Sequence, residues 1–171
     1  MHGNTLLSSC ALVLLFASPL AGAAEPDAIK RTGATPPTPY SLTVEVPANA
    51  QYTFVAGTVA DVANPDAPKD SVEAYGNTAT QTTSVLKKIA ALLAREGLSM
   101  GDVVKANVYL VGDPKLDNKM DFAGLNAAYG QFFGSATQPN KPVRTTVAVS
   151  GLPKPGTMVE IDVVVARLPA K

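Results

Sequence analysis

The stretch Val143-Arg144-Thr145-Thr146-Val147-Ala148-Val149, the link Ser150-Gly151-Leu152-Pro153-Lys154-Pro155-Gly156 and the run Thr157–Ala166 (TMVEIDVVVA) decide how the C-terminal part is read. β-Branched residues recur on both sides of a Gly/Pro-rich link, the pattern of two strands joined by a turn. Side chains alternate faces along a strand. Val159, Ile161, Val163 and Val165 therefore form a row facing a core, and Glu160 and Asp162 point the other way. The odd positions of 143–149 form the matching core row, which sends Arg144, Thr146 and Ala148 away from any covering helices, onto the face of Glu160 and Asp162. An antiparallel hairpin centred near Pro153 sets Asp162 roughly opposite Arg144 and Glu160 one diagonal step away.

A guanidinium beside carboxylates has two readings. One is an exposed cross-strand ion pair of small energetic value. The other makes Arg144 the anchor of a ligand carboxylate through paired hydrogen bonds, with Glu160 placed to position or deprotonate a water. Periodicity leaves both open.

Working outward, a helix spans about Lys119 to Phe133, its buried face formed by Phe122, Leu125, Tyr129, Phe132 and Phe133. Asn126 falls on that stripe, where a buried amide needs partners, as a structural group or as part of a site. Asp102–Val111 is a strand with Val104, Ala106, Val108 and Leu110 on one face. A longer helix runs from about Val72 to Glu96 on Leu86, Ile89 and Leu93, with Gly97 just past its end. Leu42, Val44 and Val46 alternate with polar residues, and Tyr52–Val55 forms a second apolar run. The turn-like Pro47–Ala50 between them predicts a hairpin. The order β-β-α-β-α-β-β describes an α+β domain, a two-layer mixed β-sheet with two helices on one face. The other face must be solvated or buried against further subunits.

Residues 1–24 read as a cleaved secretory signal. The apolar run Leu6–Leu20 is short for a membrane span and ends in small residues before Glu25, although MHGNT lacks the usual basic residue. Residues 25–38 (with RTGATPPTP) form a flexible arm and 39–171 the domain, which implies a periplasmic or secreted protein free of the membrane after cleavage. The chain's single cysteine, Cys10, and single histidine, His2, both fall in the leader. The mature chain thus has no thiol nucleophile, no disulfide and no ordinary zinc ligand set. Fourteen basic residues balance 14 acidic ones, and no basic patch suggests a nucleic-acid partner.

Arg144-Thr145-Thr146-Val147, then Leu152-Pro153, then Val159-Glu160-Ile161-Asp162 resemble the C-terminal signature of the YjgF/RidA family of reactive intermediate deaminases. Asp102–Leu110 is similar to the family's central strand, and Phe122-Ala123 to Tyr129 to its second helix. Phe54–Gly57 and Pro39-Tyr40-Ser41 resemble its N-terminal elements, so the likeness covers about residues 39–168. The resemblance implies the chorismate mutase-like fold and a homotrimer with a barrel-like centre and three clefts between subunits. It also implies cofactor-free hydrolysis of enamine and imine intermediates to 2-oxo acids and ammonia. By the same resemblance Arg144 grips the substrate carboxylate and Glu160 supports the water as the catalytic group. Asn126 fixes the site, and Tyr40 closes it from the neighbouring subunit. Thr146 lines the pocket where the family often has cysteine, and Ala56 stands where it has serine. Two rival readings use the same fold: a module that binds small carboxylates without turning them over, and a chaperone-like envelope protein.

Overall fold

In the computed structural model the described residues are 28–33, 35 and 37–170. The segment read as a secretory signal, with Cys10 and His2, lies outside them. The elements in chain order are β1 (Lys30–Thr32), β2 (Thr43–Glu45), β3 (Gln51–Val59), α1 (Val72–Tyr75), α2 (Thr78–Arg95), β4 (Val103–Leu110), α3 (Phe122–Tyr129), β5 (Val143–Ala148) and β6 (Val159–Arg167). Four strands form the main sheet in the order β3-β6-β4-β5, with β6 antiparallel to both its neighbours and β5 parallel to β4. This is the mixed α+β architecture expected.

The core is where the two apolar periodicities meet. Val85, Leu86, Ile89 and Leu93 of α2 and Leu125 and Tyr129 of α3 pack with Ala106, Val108, Leu110, Val159, Ile161, Val163 and Val165. Each large aliphatic side chain buried this way contributes about 1.5–3 kcal/mol. The helix read as continuous from Val72 to Glu96 is two helices. Gly76 has φ +83, a conformation that costs glycine little, and the Asn77 side chain then accepts from Thr80 N at 2.9 Å to start α2. The second helix is shorter than its pattern and ends at Tyr129, yet Phe133 beyond it is still buried.

Two pairings differ from those read in the sequence. β2 does not pair with β3. It pairs antiparallel with β1, so Lys30–Thr32, inside the segment read as a flexible arm, is a strand of a separate two-stranded sheet. Arg31 fastens this sheet to the domain by donating to Gly101 O (3.1 Å) and Val103 O (3.3 Å). Nor do the last two strands form a hairpin. A helical crossover leads from β4 through α3 to β5, which favours parallel pairing, and β3 and β4 occupy both edges of β6. The link 150–156 therefore carries the chain across β4.

Gln81 ties these layers together. It is fully buried, its Nε2 donates to Gly76 O (2.9 Å) and Gly156 O (3.2 Å), and its Oε1 accepts from Met158 N at 2.7 Å. Gln81→Leu keeps the volume but strands these backbone groups. It should destabilise the protein by about 2–4 kcal/mol in urea unfolding, since each unsatisfied buried group costs about 1–3 kcal/mol.

Candidate functional site around Arg144

Paired residues on adjacent strands point to the same side of a sheet, and here the register decides the site. Arg144 is level with Ala106, and Ala106 with Val163; Thr146 is level with Val108, and Val108 with Ile161. Arg144 and Thr146 thus share the helix-covered side with the core row, the reverse of the sequence reading. Glu160 is level with Tyr109 and Asp162 with Asn107, on the open side. The expected neighbours Arg144, Glu160 and Asp162 are therefore divided between two faces with β4 in between.

On the helix side Arg144 meets aromatic surface. Its Cζ lies 4.7 Å from the Tyr129 ring centroid and 5.3 Å from that of Tyr40. Tyr129 is fully buried and Arg144 half-buried. Among the described residues Arg144 makes no ion pair and no side-chain hydrogen bond. Its Nη1, the Tyr129 hydroxyl and Thr146 Oγ1 are all buried without a partner. Burial lowers the Arg144 pKa, an effect opposed by Tyr129 and Tyr40; burial raises that of Tyr129, opposed by the guanidinium.

Tyr40 lies beside Arg144 within its own chain. Ser41 N donates to Pro142 O (2.9 Å), Ser41 Oγ donates to Lys141 O (2.7 Å), and Lys141 Nζ donates to Thr38 O (2.9 Å). The segment after β1 is clasped to the start of β5, and Tyr40 is carried to Arg144 with it. Asn126 is brought to neither group. It is exposed on α3, while Leu125, Ala128 and Tyr129 form the buried side. Tyr129 is the residue sequence reasoning left in the core. Its place on the buried stripe gave the burial, but only the register of Arg144 shows what its ring faces.

The open side carries the acids. Asp162 accepts from Asn107 Nδ2 (2.9 Å) and from the Tyr109 hydroxyl (3.1 Å). Glu160 is half-buried beside Gly57, where a Cβ would collide with Glu160 Oε1. The hydrogen bond to Asp162, and then its charge, raise the Tyr109 pKa. A raised value means the native state favours the protonated phenol. Its stabilising effect is complete below the ordinary tyrosine range and is lost as pH climbs through the raised value. In Asp162→Asn the tyrosinate absorbance of Tyr109 should appear at lower pH than in the wild type; an unchanged titration would contradict this link.

The endoribonuclease L-PSP family model matches residues 32–167. A RutC family protein of Pyrococcus horikoshii is 34% identical over 126 residues, 74% of this chain and 85% of that one. A Rid family structure from Yersinia pestis superposes with a TM-score of 0.56 at 22% identity, over 75% of this chain and 86% of that one, a likeness of fold. TdcF of Escherichia coli, solved with bound serine, superposes with a TM-score of 0.51 at 27% identity, over 80% of this chain and 93% of that one. The matched span runs from β1 to the end of β6 and includes Tyr40, Arg144 and Glu160, so the chain belongs to the endoribonuclease L-PSP family, the YjgF/RidA family that its C-terminal signature resembles.

Proposed function

We propose that this protein hydrolyses small 2-imino acids and their enamine tautomers to 2-oxo acids and ammonia, in clefts between the protomers of a homotrimer. The observation that carries this reading is a half-buried arginine whose N–H groups are committed to no residue. An uncommitted guanidinium fork matches a carboxylate bidentately. TdcF, named for a suspected reactive intermediate deaminase activity, is 34% identical over 82 residues.

The division of the sheet faces bears on the assembly. Arg144 and Glu160 cannot serve one site within a protomer, because β4 and the thickness of the sheet separate them. They can serve one site if the open side of one protomer covers the Arg144 edge of the next. The exposed Phe54 (77%), Tyr52 (49%) and Val147 (41%) give the sheet apolar surface suited to such cover. In the cleft, Arg144 holds the substrate carboxylate, with Tyr40 beside it. The Glu160 carboxylate takes a proton from water as its oxygen attacks the C=N carbon. In the adduct of the protonated imine it returns that proton to nitrogen; as the C–N bond breaks and ammonia leaves, the carboxylate accepts the hydroxyl proton and the C=O of the 2-oxo acid forms. Thr146 lines the strand next to Arg144, and Asn126, exposed on α3, is available to the cleft. The apolar leader supports a periplasmic or secreted setting for this chemistry. A second reading, carboxylate binding without turnover, is favoured by Ala56 and Thr146, which stand where the family resemblance has serine and cysteine.

Ammonia release from freshly generated 2-iminopropanoate tests the reaction. The wild type should be active. Arg144→Ala should lose tenfold or more, since a charge-assisted hydrogen bond is worth about 1.5–3 kcal/mol. An inactive wild type that is nevertheless stabilised by pyruvate selects the binding reading. Arg144→Ala and Glu160→Gln, each impaired alone, should regain activity when unfolded and refolded together in equal amounts, because about a quarter of all clefts then take an intact Arg144 from one protomer and an intact Glu160 from the next. No recovery on mixing sinks the inter-subunit site.

A further inference from the structure

A half-buried arginine is ordinarily held by a carboxylate, which occupies the same N–H edge a ligand would need. The ion pairs among the described residues are Lys30–Glu45, Lys88–Asp61, Lys119–Asp117 and Arg167–Asp102, and none involves Arg144. What lies against Arg144 is ring surface at 4.7 and 5.3 Å. A stacked ring uses the flat face of the guanidinium, whereas the N–H bonds project from its edge in the plane. With Cζ over the rings and no acceptor on its N–H groups among the described residues, the part of the edge not buried with Nη1 is available.

The two rings differ in what holds them. Tyr40 sits half-buried on the clasped N-terminal segment. Tyr129 is fully buried and packs on Phe133 with ring centroids 4.6 Å apart. Its hydroxyl is buried without a partner, so the ring, and not the hydroxyl, supports the cation. We infer that Tyr129 is a positioning residue: its ring is the fixed floor that orients the Arg144 guanidinium edge-on to an incoming carboxylate. The inference rests on the reading of Arg144 as a carboxylate anchor.

The test combines a ligand-free signature with binding. In the wild-type protein, nuclear Overhauser contacts between the Arg144 side-chain protons (assigned by their loss in Arg144→Lys) and the Tyr129 ring are expected, with ring-current-shifted Arg144 resonances. Both should persist in Tyr129→Phe. In a folded Tyr129→Leu the shift should vanish and pyruvate binding should weaken about fivefold or more, the effect of a cation–π contact worth about 1 kcal/mol or more. With the imine substrate the same change should raise KM more than it lowers kcat. Tyr129→Phe should bind as the wild type and be no less stable, because the lost hydroxyl has no partner. Missing contacts in the wild type overturn the inference even if Tyr129→Leu does not fold. So do unchanged Arg144 resonances in Tyr129→Leu, or weakened binding in Tyr129→Phe. A wild type that shows the contacts but neither binds pyruvate nor releases ammonia upholds the aromatic floor and removes the functional reading instead.

Discussion

β5 lies parallel to β4 with Arg144 level with Ala106, and this register governs everything around the candidate site. Ala106 is fully buried beneath the helices, so its lateral neighbour is turned to the same side and meets α3. A slip of one residue would send Arg144 to the open face and Thr145 to the rings. The register is held from both ends of the strand. At its start, Ser41 and Lys141 clasp the N-terminal segment to the backbone before β5. At its end, Val149 N donates to Leu110 O at 2.9 Å.

The sheet thereby separates two kinds of chemistry. The helix side offers a cation, two phenol rings and a hydroxyl; the open side offers Glu160, Asp162, Asn107 and Tyr109. Neighbouring strands lie about 5 Å apart, so with β4 between them and the side chains on opposite faces, the backbone keeps Arg144 and Glu160 from sharing a ligand inside one chain. In the proposed assembly this separation is useful. Cation and base come from different protomers, so the complete site forms only when the protomers assemble.

Two half-buried arginines show what separates a structural cation from an available one. Arg31 donates to Gly101 O and Val103 O and so fastens β1 to the domain; burial lowers its pKa, with Asp102 opposing. Arg144 is desolvated too, but its guanidinium meets no acceptor among the described residues, and Cζ lies over the Tyr129 and Tyr40 rings. Removing a charge from water is costly unless something replaces the lost solvation. Ring quadrupoles replace part of it and consume no N–H donor. In the proposed site a bound carboxylate would supply the remainder.

The amino-acid sequence by itself determined the apolar rows of α2 and β6, the two-layer α+β class and the signature residues that place the chain in its family. Each of these follows from local periodicity or from residue identity. It also marked Arg144 and Glu160 as the groups to watch. It could not determine which strands are neighbours. Alternation along β5 says that Arg144 and Val147 face opposite ways, but not which of them faces the helices, because both sides of this strand carry apolar residues and Val147 lies on the open side. The pairing of β2 with β1, the outward turn of Asn126 and the arrival of Tyr40 beside Arg144 of its own chain depend likewise on contacts between distant segments. Strand order and register are set by long-range backbone hydrogen bonds, which carry no trace in the spacing of residues along either strand. Tertiary structure alone therefore decided that the arginine rests on Tyr129 and that the acids lie on the other face.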